Sequence, residues 1–387
     1  MALRCFKSIL VAAFSLGSLF FFNVCMAQPP APNAGAEAAD EHGKLDPAKL
    51  ILEHVGDAHE FHFFTLNKKP VTVPLPVIVY SSGKGLSVFM SSKFEEGSAV
   101  YDGYRLLNEE YAQEHQLDEK VFKTAKIYAV DAEGRPDPSV AVIDLSLGRN
   151  AAQALIAGIL LILLMRGVAG RYKKGEGIRT APTGFQNAVE PVIAFVRDEV
   201  GKSNLGDKYE KYMPFLLTVF FFILINNLVG LIPGTANVTG NIAFTGAMGL
   251  LSFVVIMFST GKHYWGHIVN PPVPIGVKPI MWPVEIMGIF TKPFALIIRL
   301  FANMISGHVI ILSFIILIFI FGAMNTALGW GTSPLFVALS IFIYLIEILV
   351  AFIQSYIFAN LTAVFIAQAF EGGHDDAHGH HTENVAI

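Results

Sequence analysis

Two apolar segments toward the C-terminus limit what this chain can become. One runs from Pro283 to Phe321 and the other from Ser333 to Phe370. Each is about 39 residues long, so as a single helix each would extend roughly 60 Å. The hydrocarbon core of a bilayer is only about 30 Å thick. Ordinary helix tilts of about 20° do not absorb that excess. Two arrangements remain, a pair of spans joined by a tight turn within each segment or one very oblique helix per segment. No polar turn interrupts either segment, although Pro293, Gly307 and Gly322 could bend the first. Pattern alone leaves that choice open.

Charge is scarce in this part of the chain. Between Tyr212 and Phe370 the acids are Glu285 and Glu347, and the Lys and Arg residues are Lys262, Lys278, Lys292 and Arg299. With 53% hydrophobic and 15% charged residues, the composition is that of an integral membrane protein. A bilayer interior opposes a central arginine by about 2.5–3.5 kcal/mol or more, so Arg299 needs a reason to be there. Asn303 follows one turn later on the same face. His308 points to the opposite side of the helix, and Glu285 returns to nearly the arginine's face about 21 Å before it. In the second segment Glu347 and Gln354 share a face, about 10 Å apart. A fixed cation with titratable groups on both sides suits stepwise ion transfer. The plainer alternatives are an arginine that snorkels or closes a structural ion pair, and a Glu347 held neutral or paired with Lys292.

The run Arg299-Leu-Phe-Ala-Asn303-Met, preceded by Lys292-Pro293 and followed by Gly307, resembles the signature of subunit a of the F-type ATP synthase. The resemblance extends over roughly residues 180–370 and takes in Thr183-Gly-Phe-Gln-Asn187 and Asn237-Val-Thr239. It implies that the two long segments are oblique helices lying side by side around a ring of c subunits, with Arg299 facing the ring. It also implies that Glu285, His308 and Glu347 serve an outer half-channel, and that a second half-channel opens to the cytoplasm beyond Arg299. Asn303 and Gln354 would orient the guanidinium or ordered water. In some members of the family the first helix carries a glutamate and the second a histidine; here His308 and Glu347 stand exchanged. An arginine cannot lose its own proton, and its charge lowers the proton affinity of a carboxylate passing it.

The partners so implied are the c ring, the b subunits of the stator stalk, the catalytic head and the lipid membrane, with no role for nucleic acid. No Gly-x-x-x-x-Gly-Lys phosphate loop occurs in the chain, so nucleotide chemistry is assigned to partner subunits. No catalytic residue, cofactor or metal is expected in this subunit. A self-contained secondary transporter with an arginine-centred site is the alternative; such proteins usually show an internal repeat with paired broken helices, which this sequence does not.

The remaining chain fits around that domain. Residues 1–27 read as a signal peptide, with basic Arg4 and Lys7, an apolar Ile9–Val24 and a small-x-small end at Cys25-Met-Ala27. Both cysteines, Cys5 and Cys25, fall within it, so the mature chain is expected to have no disulfide or thiol chemistry. Residues 28–147 read as an Ala/Pro-rich linker and a small extracytoplasmic α+β domain. Strands are predicted at Glu60–Thr65, Val71–Tyr80, Leu86–Met90 and Ala141–Leu145, and a helix over Glu109–Lys123. His42, His54, His59 and His62 are expected to be solvated rather than metal-binding.

The membrane domain, residues 148–370, begins with a span over Asn150–Val168. Arg166, Arg171, Lys173 and Lys174 place its far end in the cytoplasm. An amphipathic helix, Phe185–Arg197, is expected along the cytoplasmic surface. Met213–Ile232 then crosses outward, Asn241–Thr260 returns, and Gly261–Pro279 forms a cytoplasmic loop carrying Lys262 and Lys278. Asn237-Val-Thr239 also fits a glycosylation acceptor, read here as a false positive. Lys292 is placed near a helix end in a structural role, and residues 371–387 form a His-rich flexible tail. The expected fold is mainly α: a polytopic membrane protein with about five membrane helices, the last two long and oblique, plus a small α+β outer domain. Its expected place is the bacterial inner membrane, with the 28–147 domain periplasmic and the C-terminus cytoplasmic.

Overall fold

Proline spacing cuts the polar N-terminal region into short strands. The computed structural model describes residues 58–371, apart from 67–68, 119–120, 123–124, 132, 178–183, 233 and 260–277. The proposed signal peptide and linker, His42, His54, Thr183, Lys262 and the tail beyond Glu371 lie outside the described residues. Strand β1 (Glu60–Leu66) pairs antiparallel with β2 (Lys69–Pro74). Strand β3 (Pro76–Ser81) follows after one residue and pairs with β4 (Gly85–Met90). The single strand predicted over Val71–Tyr80 is therefore two. Pro76 has no N–H to donate, and Leu75 turns its own backbone to Ser91, with N to Oγ at 3.0 Å and O from Ser91 N at 2.9 Å.

Three further strands, β5 (Val100–Tyr101), β6 (Tyr104–Leu106) and β7 (Ile127–Ala129), form a third antiparallel sheet. They were not predicted, because two or three residues are too few to show a period. Helix α1 is Glu109–Glu114, shorter than the predicted Glu109–Lys123. Asn108 caps it, accepting from Tyr111 N at 3.0 Å, and Gln116 ends it in the left-handed region at φ 48°. Strand β8 (Val142–Asp144) joins the free edge of β3. Val77, Val79, Phe94, Tyr104, Leu106, Ile127 and Ala129 close over one another as the core, and the Tyr104 hydroxyl meets Ser81 Oγ at 2.8 Å inside it.

The remaining elements are helical. Helix α2 (Arg149–Lys173) covers the predicted span and continues through its basic end. Helix α3 (Phe185–Phe195) runs on through a π turn at Val196–Lys202. Val189, Val196 and Val200 are buried there, while Asp198 pairs with Arg197 at 2.8 Å and Lys202 at 2.9 Å on the exposed side, the amphipathic division expected. Helix α4 is Tyr209–Gly230 and α5 is Ile242–Ser259. Among the described residues, five helical stretches are long and apolar enough to cross a membrane.

Each long C-terminal segment is one helix. Helix α6 (Lys278–Met324) has 47 residues and α7 (Thr326–Glu371) has 46. The paired-span alternative is thereby excluded. At about 1.5 Å per residue each extends roughly 70 Å, so an oblique course is what keeps the apolar length of each within a bilayer. Two placements change with these limits. Lys278 starts α6 instead of lying in the preceding loop, and Lys292 sits well inside the helix rather than near its end. Only Asn325 separates the two helices, and its Oδ1 accepts from Ala327 N at 2.8 Å to start α7. Phe336 stacks on Phe314 and Phe321 to close the hairpin.

By contact density the chain forms two compact units. Of the described residues, one holds those up to Leu163 with Phe222–Ala247 and Leu300–Phe352; the other holds those of Leu164–Phe221, of Met248–Arg299 and from Ile353 onward.

Candidate functional site

Helices in lipid gain little from burying apolar surface against one another, so small and polar residues decide where they meet. In the first unit the decisive small residue is Gly307 of α6. The Glu347 carboxyl group of α7 packs against it, and a Cβ at position 307 would collide with the carboxyl carbon and both oxygens. Glu347 is 4% exposed, and its Oε1 has no hydrogen-bond partner among the described residues. His308, the next residue on α6, is half-buried. The carboxylate therefore rests against the turn of α6 that carries the histidine. Spacing along the chain could not have shown this.

Helix α4 and the turn after it hold both long helices at that level. Asn227 Nδ2 donates to Ala351 O at 3.2 Å, one turn beyond Glu347. The Tyr344 hydroxyl, one turn before Glu347, donates to Leu231 O at 3.2 Å. Asn237 Nδ2 donates to Met304 O at 3.4 Å, one turn before Gly307. Helix α2 is tied to the same turn through Gln153, which donates to Ala236 O and accepts from Ala236 N, both at 2.7 Å. Asn237 also accepts from Gly240 N at 3.0 Å and is 7% exposed, which leaves no access for a glycan.

Several buried polar atoms in this unit have no protein partner among the described residues. They include Asn226 Oδ1, Asn227 Oδ1, Thr239 Oγ1 and Asn241 Nδ2, besides Glu347 Oε1. Buried polar atoms are nearly always satisfied, so such a group marks a place where other polar species belong. Sequence reasoning did not single out Gln153, Asn226 or Asn227. A signal was present in Ile225-Asn226-Asn227-Leu228, two adjacent amides inside an apolar run, which lipid depth penalises unless they are used.

The second unit carries Arg299. Its neighbours Leu296 and Leu300 are buried, whereas Arg299 itself is exposed. Among the described residues it makes no ion pair or hydrogen bond. Gln354 of α7 is buried. Lys292 donates to Gln368 Oε1 at 2.7 Å and lies 5.3 Å from the centre of the Phe365 ring, a structural tie between α6 and α7. Glu347 has no ion pair with another residue of the first unit among the described residues. Gly249 lets α5 close on α6, since a Cβ there would strike Ile297 and stand 3.4 Å from Pro293 O.

Of the remaining predicted residues, Asn303 is half-buried on α6 in the first unit. Glu285 lies on α6 in the second unit, with its side chain outside the described set. No cluster of three or more potential metal ligands occurs among the described residues.

The sequence profile described as ATP synthase A chain matches residues 152–367. A separate profile, a domain of unknown function, matches residues 50–145. ATP synthase subunit a of Chloroherpeton thalassium is 44% identical over 256 residues, covering 63% of this chain and 73% of that protein. ATP synthase subunit a 2 of Chlorobaculum tepidum is 40% identical over 277 residues, or 70% and 76% of the two chains. ATP synthase subunit a of Myxococcus xanthus is 39% identical over 246 residues, or 62% and 78%.

Proposed function

The chain belongs to the ATP synthase A chain family, and from that premise we propose that it is the stator subunit through which protons reach and leave the carboxylates of a c ring. The observation that carries the proposal is Arg299. A permanent charge left exposed on an apolar helix, with no partner in its own chain among the described residues, must be met from outside. A ring carboxylate at mid-membrane has the sign and the depth to meet it. The guanidinium stabilises the ionised carboxylate, so the proton leaves before the carboxylate passes. Its fixed charge also opposes direct proton transfer from one half-channel to the other.

The outer half-channel is assigned to the first unit. The unmet polar atoms of Asn226, Asn227, Thr239 and Asn241 offer stations for ordered water leading toward Glu347. Glu347 and His308 then form the relay, since imidazole titrates in the physiological range and a carboxylate beside it exchanges protons readily. Asn303 and Gln354 orient the guanidinium or water, and the inner half-channel lies beyond Arg299 on the cytoplasmic side. ATP chemistry belongs to the catalytic head, with which this subunit works through the c ring and the b stalk. The protein is placed in the bacterial inner membrane with residues 28–147 in the periplasm and the C-terminus in the cytoplasm.

The test is ATP-driven proton pumping in inverted membrane vesicles carrying Arg299→Ala beside wild type, with co-purification of the c ring and catalytic head as the assembly control. Abolished pumping in an assembled complex supports the gatekeeper role. Undiminished pumping makes Arg299 structural and overturns the mechanism.

A further inference from the structure

The sheet β4–β3–β8 has one face in the core and another that is apolar and, among the described residues, uncovered. Val77 and Val79 of β3 point into the core. The alternate residues point away, and the register sets them side by side: Ile78 opposite Val88, and Tyr80 between Leu86 and Ile143. Met90 extends the row opposite Pro76. Leu86 and Val88 are each 62% exposed and Ile143 is 54% exposed. None of these outward positions carries a charge. An uncovered apolar surface that spans three strands is a contact site rather than the scattered exposure ordinary on soluble proteins.

Its attachment points to the occupant. Only residues 145–148 separate β8 from α2, a reach of about 14 Å at most, and they do not form a free linker. Leu145 N donates to Ile78 O at 2.8 Å, Leu147 N to Pro76 O at 3.2 Å, and Arg149 N to Ala58 O at 2.8 Å. Backbone hydrogen bonds thus hold this stretch down as far as the first residue of α2. That helix then presents its own apolar surface at Ile156, Ile159 and Leu163, exposed among the described residues to a similar degree as the sheet face. The two surfaces follow each other along one bonded stretch of chain, and the second is the surface of a membrane-spanning helix. Tyr80 adds an amphipathic ring of the kind enriched where bilayer meets water.

We propose that the uncovered face of the β4–β3–β8 sheet rests on the lipid surface beside the point where α2 enters the bilayer. The contact steadies the N-terminal domain against the membrane and needs no protein partner. It requires only that α2 spans the membrane, and it is independent of the proton path.

The experiment uses the assembled complex reconstituted in phosphatidylcholine–phosphatidylglycerol vesicles, with Cys5→Ser and Cys25→Ser to remove background thiols. Single cysteines are introduced as Val88→Cys, as Leu86→Cys, and as Glu133→Cys for a solvent control; Glu133 has a side chain 70% exposed. Each is labelled with an environment-sensitive fluorophore and challenged with lipids bearing a nitroxide near the headgroup, and separately with aqueous iodide. The proposal expects blue-shifted emission, strong loss to the lipid nitroxide, and several-fold weaker iodide quenching at 88 and 86 than at 133. Iodide quenching equal to the control shows a face open to water and overturns it. Shielding from both quenchers shows a protein covering, whether a second copy or another subunit, and overturns it equally. Both labelled positions are already exposed, so folding is preserved, and ATP-driven pumping in the same vesicles confirms an intact complex.

Discussion

Replacing Gly307 by alanine tests the contact on which the proposed relay depends. The added methyl would occupy the place of the Glu347 carboxyl group. What it meets is the far end of a flexible side chain rather than backbone, so α6 and α7 need not separate. Moving Glu347 to a poorer rotamer costs about 0.5–1.5 kcal/mol. Alanine returns up to about 1 kcal/mol through its better helix propensity. The two nearly cancel, and the complex should assemble. The carboxylate itself must retreat by about 1 Å or more to reach ordinary contact distance. Where chemistry depends on aligned groups, a displacement of that size lowers rates by on the order of 100-fold. The expected outcome is a 10- to 100-fold loss, roughly 1.4–2.7 kcal/mol, in pumping and passive proton flux through an assembled complex. Combining Gly307→Ala with Glu347→Asp withdraws the carboxylate by one methylene and should recover part of the loss. Gly246→Ala on α5, where a Cβ meets nothing within 4 Å, should behave as wild type. Wild-type flux in Gly307→Ala would refute the argument, as would equal damage from Gly246→Ala.

Two other outcomes follow from the same geometry. Asn227→Leu removes the bond to Ala351 and one water station; stability should fall by about 0.6–1.7 kcal/mol, and passive proton flux should fall several-fold while c-ring co-purification persists. Unchanged flux would take Asn227 out of the path. In the N-terminal domain, burial alone would raise the Asp144 carboxyl, but hydrogen bonds from His59 and Ser146, with the charge of His59, outweigh it and hold it below its ordinary 3.8. A depressed acid lends stability that is fully present above its unfolded value and is lost as pH falls through the folded one. The hydrogen-exchange protection factor at the β3–β8 junction, corrected for the intrinsic pH dependence of exchange, should therefore hold down to about pH 4 and fall below it. Asp144→Asn should lose about 1 kcal/mol at neutral pH and flatten that dependence; an unaltered pH profile would show that the pair carries no stability.

Much of the architecture could be read from local pattern. Charge scarcity isolates Arg299 and Glu347 in apolar surroundings, segment length rules out ordinary spans, and basic residues mark one end of α2. These follow from side-chain hydropathy taken a few residues at a time. The structure decided what such windows cannot contain. Whether Pro283–Phe321 turned back or ran on depended on packing against α7. The shortest strands exist only because neighbours supply their hydrogen bonds, and Lys292 is engaged by Gln368, 76 residues away. The proposed relay illustrates the division most clearly. His308 and Glu347 were visible as chemistry in the sequence. Their placement rests on Gly307, whose missing side chain leaves the room that the carboxylate fills. Hydropathy belongs to each residue alone, whereas that room exists only between two helices, so tertiary structure had to decide it.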